Sequence, residues 1–246
     1  MTLGAPAWLV LLIVALYLKD SLLLLEPDEA VMVRRLGGGW RAGFGIRSWR
    51  LAGREPYLAN PFAPHQPVLR LTWRMAGAPA AGATATPGWR PDLPAELMRL
   101  GVFAWASWLG LFVLIPGLLL ARLDALTTLI GVGLVYLNIA LSLVATWRWR
   151  KRLGLGDRTC ALLAFECLAC APYAANLVRR VAATRESKVD FTLAARRLLS
   201  PADMSVVNRE CLARIDERIE SEGDEASRSL QHGRTRFVVE DGDELR

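Results

Sequence analysis

Residues 101–121 and 125–147 contain no charged side chain. In neither run do polar residues recur at the 3.6-residue period that gives a soluble helix its wet face. A helix rises 1.5 Å per residue, so about 20 apolar residues cross a hydrocarbon layer of roughly 30 Å. Both runs therefore predict transmembrane helices. A third stretch, 8–25, is apolar as far as Leu18, is interrupted by Lys19-Asp20-Ser21 and resumes from Leu22 to Leu25. Lys19 can snorkel to an interface, so the whole stretch predicts the first membrane helix, after a short extracytoplasmic segment 1–7. A cleaved signal peptide would need a basic start and a small-residue cleavage site, whereas 1–7 carries no Lys or Arg. The expectation is a retained anchor.

Between the first and second spans the pattern changes from runs to alternation. Leu69, Leu71, Trp73 and Met75 alternate with Val68, Arg70, Thr72 and Arg74, the period of a half-buried strand. Trp40, Ala42, Phe44 and Ile46 alternate with Arg41, Gly43, Gly45 and Arg47, and 30–36 forms a third such piece, ended by Gly37-Gly38-Gly39. Residues 26–75 thus predict a small β module, with 56–67 as a proline-punctuated loop inside it. So few short strands need outside support. The Ala/Gly/Pro-rich stretch 76–99 predicts a linker. The glycine clusters read as turns and bulges, because a phosphate cradle would lead into a helix N-terminus. An N-terminal membrane helix followed by strands and a Gly-rich turn is similar to the opening of band-family (stomatin-like) proteins. The long helical segment of that family is missing here, and the likeness implies nothing further.

Residues 148–223 predict a basic helical region. Ser200, Pro201 and Asp203 make a helix start, with Ser as N-cap and Pro in the first turn. Val207, Cys211, Ile215 and Ile219 then recur every fourth residue, an apolar stripe that must pack on the other helices or dock another subunit. Arg214 reads as lying off that stripe, with Arg214→Asp expected to be tolerated. Residues 160–178 are apolar enough to suggest a fourth span, but Glu166, Pro172, Asn176 and the Arg179-Arg180 pair favour a helix lying on the membrane or packed on the cytoplasmic part. The charged, aperiodic segment 224–246 predicts a disordered tail. The fold class that follows is an integral membrane α-helical protein of three transmembrane helices, four if 160–178 crosses. A small cytoplasmic β module lies between the first two spans, and a helical cytoplasmic region follows the third.

Charge fixes an orientation for this arrangement. The 246-residue chain carries 30 Lys and Arg against 24 Asp and Glu, a formal net charge of +6. Ten arginines lie between 34 and 99, Arg122 stands alone between the long runs, and Arg148, Arg150, Lys151 and Arg152 follow the last one. Surplus Arg and Lys mark the cytoplasmic side, so this predicts an external N-terminus, a cytoplasmic 26–99 segment and a cytoplasmic C-terminus. Trp105 and Trp108 open the second span, and Trp147 and Trp149 close the third, which puts all four near one interface. The same rule accounts for the net charge without a nucleic-acid partner. Arginine in place of lysine, with abundant Ala, Leu and Gly, suggests a GC-rich bacterial coding sequence, hence the bacterial inner membrane.

Candidate chemistry is sparse. Cys167-Leu168-Ala169-Cys170 has the C-x-x-C spacing of zinc and dithiol centres. The only histidines, His65 and His232, are remote in sequence, so Cys167 and Cys170 are weak metal candidates, and no cofactor is expected. Neither a Ser/His/Asp set nor paired intramembrane carboxylates stand out. Gly131, Gly133 and Asn138 are candidates for interhelical packing, with Asn138 as hydrogen-bond glue. The expected function is a non-enzymatic anchor or assembly subunit with a bilayer, other protein subunits or its own copies as partners, docking through its basic cytoplasmic surface with the 207–219 stripe as the candidate contact. The alternatives are an oligomeric channel built around Gly131, Gly133 and Asn138, and a redox or metal protein centred on Cys167 and Cys170.

Overall fold

The structure, a computed structural model, describes residues 5–35, 38–73, 93–121, 123–184 and 190–221, and five positions among 228–235. The chain is mostly helical, with small sheets and two helices long and apolar enough to cross a membrane: Glu96–Leu120 and Ala125–Leu153. Helix α1 (Ala5–Ser21) leads into β1 (Leu22–Leu25), β2 (Glu29–Arg34), β3 (Trp40–Gly43), β4 (Glu55–Leu58) and β5 (Val68–Thr72). Helix α2 (Leu93–Leu109), a π-helical turn (Gly110–Leu114), α3 (Ile115–Leu120) and α4 (Ala125–Leu153) follow. The chain continues with α5 (Asp157–Ala169), α6 (Ala171–Ala175), α7 (Leu177–Ala183), α8 (Phe191–Leu198) and α9 (Pro201–Ser221).

Two compact units emerge. The first comprises Met1–Leu23, Leu58–Val68 and Arg90–Arg185; the second comprises Leu24–Tyr57, Leu69–Trp89 and Glu186–Arg246. This division differs from the expected contiguous module over 26–75. Residues 58–68 fold with the helices, and α8 and α9 fold with the strands.

In the helical unit, α2 packs on α4, α6 and α7. The π-helical turn precedes Pro116, whose ring cannot accept the regular helical hydrogen-bond pattern, so the wider turn absorbs the mismatch. It also brings Gly110 against α4, where a Cβ would stand 2.7 Å from Val135 Cγ2. Asp124 caps α4, accepting from the Thr127 backbone N–H at 3.0 Å and the Thr127 hydroxyl at 2.6 Å. Gly154 ends it in the left-handed conformation, φ 66°. The helix that carries the 101–121 run thus begins earlier, in α2, and the one that carries 125–147 runs six residues beyond 147.

The end of the first expected helix is corrected. The helix stops at Ser21, and Leu22 to Leu25 form β1, paired with β4. A four-leucine run has no periodicity to separate helix from strand. The fourth-span alternative meets no continuous helix either. Residues 160–178 are divided among α5, α6 and α7, with breaks at Cys170 and Asn176. Pro172 restricts the residue before it and supplies no N–H to continue α5.

In the other unit, a three-stranded sheet runs β3-β2-β5. β2 and β3 are antiparallel, with Val31 opposite Gly43, Met32 opposite Ala42, Val33 opposite Arg41 and Arg34 opposite Trp40. Ala30, Val31 and Met32 are all fully buried, so β2 is covered on both faces. Gly38 and Gly39, at φ 86° and 77°, form the turn after it. Gly37, Arg74 and Met75 lie outside the described residues, as do 76–92, Arg122, His232, Gly223 and most of 224–246. Helix α9 starts as the sequence predicts: the Ser200 hydroxyl accepts from the Asp203 N–H at 3.2 Å and donates to Asp203 Oδ2 at 2.7 Å.

Candidate functional site

Two buried polar clusters, one in each unit, are the places where this fold concentrates chemistry. In the helical unit the first is built on α1, α6 and α7. Ser21 ends α1 with its hydroxyl bonded to the Tyr17 carbonyl at 2.9 Å. Asn176, fully buried between α6 and α7, donates to the Ser21 oxygen at 3.0 Å. Arg179 donates to the Ser21 oxygen at 3.1 Å and to Asn176 Oδ1 at 2.8 Å. Its other terminal nitrogen donates to the Asn60 and Ala63 carbonyls, at 2.5 and 2.9 Å. Tyr17 donates to the Pro61 carbonyl at 2.7 Å. A guanidinium with planar, fixed donors is suited to holding several carbonyls at once. Residues 59–63 are therefore fastened to α1 and α7 by the Tyr17 and Arg179 side chains, and the Ala59 N–H adds a bond of 3.1 Å to the Ser21 carbonyl.

The next residue points elsewhere. Arg180 pairs with Asp20 at 2.6 Å and with Glu166, and lies 4.3 Å over the Tyr173 ring. Consecutive helical residues diverge by about 100°, which lets one arginine serve the buried network and the other the carboxylates. Asp20 is thus matched by Arg180 and not by its neighbour Lys19.

His65 stacks on Trp105, centroids 5.7 Å apart and planes within 22°. Trp105, Trp108, Phe112 and Tyr17 continue the cluster through T-shaped and tilted ring contacts. Burial lowers the His65 pKa, and the Arg179 charge adds to that, so the ring stays neutral at physiological pH.

In the other unit the centre is Arg214, only 3% exposed, with Glu55 at 1%. Arg214 Nη1 lies 2.5 Å from Glu55 Oε2, its Nη2 donates to the Gly45 carbonyl at 3.0 Å, and its Nε reaches Glu210 at 3.2 Å. The Phe44 ring lies 5.1 Å below the guanidinium. Arg50 and Glu217 close the outer side, 2.5 Å apart. Gly45 has to be glycine, because a Cβ there would meet the Glu55 side chain and stand 2.9 Å from its carbonyl oxygen. Gly43 is likewise pressed by the Tyr57 ring, 2.6 Å from a Cβ. Both glycines thus admit a close neighbour; Gly43 ends β3, whereas Gly45 lies past the strand that the alternation of 40–47 predicts. A cavity of about 80 Å³ lies beside the ion pair, lined by Arg50, Glu55, Arg214, Glu217, Arg218 and Ser221 among others. Ligand sites for small molecules usually enclose roughly 300–1,000 Å³, so this space suits water or a small ion.

The sequence-expected residues fall as follows. Val207, Cys211 and Ile215 are buried and Ile219 is half-buried, all within the unit that contains them. Of the two coverings the stripe allows, its own chain supplies the covering, and α8 packs there with Phe191 buried. It is no free docking face. Arg214, expected to be an exposed off-stripe position, is corrected to a buried ion-pair partner. Cys167 is fully buried and Cys170 half-buried, both unpaired in disulfides. Burial pushes the thiols of Cys167 and Cys211 up to about 12 and raises that of Cys170 as well, so they stay protonated and poorly nucleophilic at neutral pH. Among the described residues no group of three or more His, Cys, Asp or Glu could hold a metal ion. Asn138 donates to Ser107 at 2.8 Å and to the Phe103 carbonyl at 3.1 Å, joining α4 to α2. Gly131 is buried where a Cβ would run into Leu118 of α3, whereas Gly133 is exposed with open space beside it.

The sequence reading missed Ser21, Asn176, Arg179, Arg180, Glu55 and Arg214 as interaction centres. The one available signal was polar residues interrupting apolar runs at 19–21, 166 and 176–180. No known protein family, no curated protein and no solved structure matches this chain.

Proposed function

We propose that the chain is a non-enzymatic, multi-pass subunit of a bacterial inner membrane, an anchor or assembly component that holds a partner beside the bilayer. The observation that carries this reading is the apolar surface of the helical unit. On α4, Leu129 is 67% exposed and Val144 66%, and Leu126, Ile130, Leu134, Leu137 and Leu141 are exposed with them. Val102 and Leu120 extend that exposure onto α2 and α3. Soluble monomers rarely expose contiguous apolar patches above a few hundred Å², so lipid is the natural covering. In this reading α2–α3 and α4 cross as two spans. Helix α1, with Trp8, Leu9, Leu11 and Leu12 exposed, enters as a third. Its 17 residues span about 25 Å, so it relies on Lys19 and Asp20 lying at the interface.

The distribution of basic residues supports a cytoplasmic unit of strands and C-terminal helices, with the segment before α1 outside. Several ion pairs tie that unit's surface together, among them Arg35–Asp203, Arg54–Glu26 and Arg70–Glu29. Arg214 and Arg180 are matched by carboxylates, and Arg179 is held by hydroxyl, amide and carbonyl oxygens, which favours rigidity over reactivity. Co-purification in mild detergent tests the adaptor reading. We expect a stoichiometric protein partner, and a clean chain without one would contradict it.

A further inference from the structure

The hairpin of α4 and α5 carries two surfaces that belong together. The helices are joined through Gly154, Leu155 and Gly156 and pack on each other. Helix α5 buries Cys160, Leu163 and Cys167 on one side. Its opposite side exposes Leu162 (58%), Phe165 (69%) and Leu168, with Ala161 and Ala169. A short helix that is apolar both inside and outside has no face for water. At the joined end stand Arg148, Lys151, Arg152 and Arg158, all exposed. None of these four makes an ion pair among the described residues. The two acids on α5 are engaged: Asp157 pairs with Arg150 at 2.6 Å and Glu166 with Arg180. Arg150 also lies 4.4 Å over the Trp147 ring, an aromatic position suited to the headgroup level.

The geometry points to an anionic phospholipid site: the exposed face of α5 lies among acyl chains of one leaflet, and Arg148, Lys151, Arg152 and Arg158 hold phosphate-bearing headgroups. At 13 residues α5 is about 20 Å long, too short to cross and long enough to enter one leaflet. Charge complementarity commits the face to acidic lipid in preference to a protein, because uncompensated cations directly beside an apolar helix match both halves of such a lipid.

This inference rests on the membrane reading, and its test separates the two. The full chain, in native membranes and then in mild detergent, is compared for retention of phosphatidylglycerol, phosphatidylcholine and inorganic phosphate. The expected result is a chain that resists carbonate extraction and retains phosphatidylglycerol at least about tenfold over phosphatidylcholine at low salt. Replacing Arg148, Lys151, Arg152 and Arg158 together by Gln should remove that preference. Phe165→Ser with Leu168→Ser should weaken phosphatidylglycerol retention without changing helix content, since both side chains are exposed. Inorganic phosphate should not compete. Extraction by carbonate would overturn both readings. An integral chain without lipid preference, a preference that survives the Gln replacements, competition by phosphate alone, or a protein crosslinked at residue 165 would overturn this inference only.

Discussion

Arg214 shows how far a single side chain's role depends on residues distant in sequence. It flanks an apolar stripe on α9, and its carboxylate partner Glu55 lies 159 positions away. Periodicity sees only the helix, so a charged residue beside the stripe reads as solvated. Removing one member of a buried ion pair strands the other, which costs about 3–5 kcal/mol. Arg214→Met should therefore lower stability by roughly that amount, read from unfolding of the full chain in detergent. Arg50→Gln, whose side chain is 44% exposed, should cost no more than about 1 kcal/mol. Replacing Arg214 and Glu55 together by apolar residues should cost far less than Arg214→Met alone. Equal effects of Arg214→Met and Arg50→Gln would refute the buried pair. Arg214→Asp, which the sequence marks as harmless, would set a second carboxylate against Glu55 and serves as no control.

At the scale of elements, the two long apolar runs were legible because length and absence of charge are enough to recognise them. The start of α9 was legible because Ser200, Pro201 and Asp203 are local signals. β1 and β4 were not. Leu22 to Leu25 continue a hydrophobic run without a period, and β4 contains Pro56 inside a stretch that reads as loop. What makes them strands is their pairing, which no local pattern reports. The contacts between α2 and α4 lie between these extremes. Asn138 marks itself as polar within an apolar run, but its partners Ser107 and the Phe103 carbonyl sit on another helix. Asn138→Val should weaken the α2–α4 pairing by about 0.6–1.7 kcal/mol, the range for interhelical hydrogen bonds in membranes. Gly133→Ala, at an open position, should change little. Steric-trap or denaturant measurements in detergent distinguish them, and indifference to both changes would remove Asn138 from the helix interface.

For the whole molecule, an apolar helical assembly and a compact charged unit were foreseeable, but the path of the chain through them was not. Residues 58–68 join the helical unit through Tyr17 and Arg179, and the C-terminal helices join the strands. Those assignments depend on single hydrogen-bonded side chains and long-range packing, to which hydropathy and spacing are blind. The central claim is that the helical unit spans a membrane while the strands and C-terminal helices remain in the cytoplasm. Reporter fusions after Ala76 and at Arg246, read in carbonate-washed bacterial membranes, test it most directly. The account predicts that both reporters stay with the membrane fraction and behave as cytoplasmic; an external signal from the residue 76 fusion, or recovery of either reporter in the soluble fraction, would contradict it.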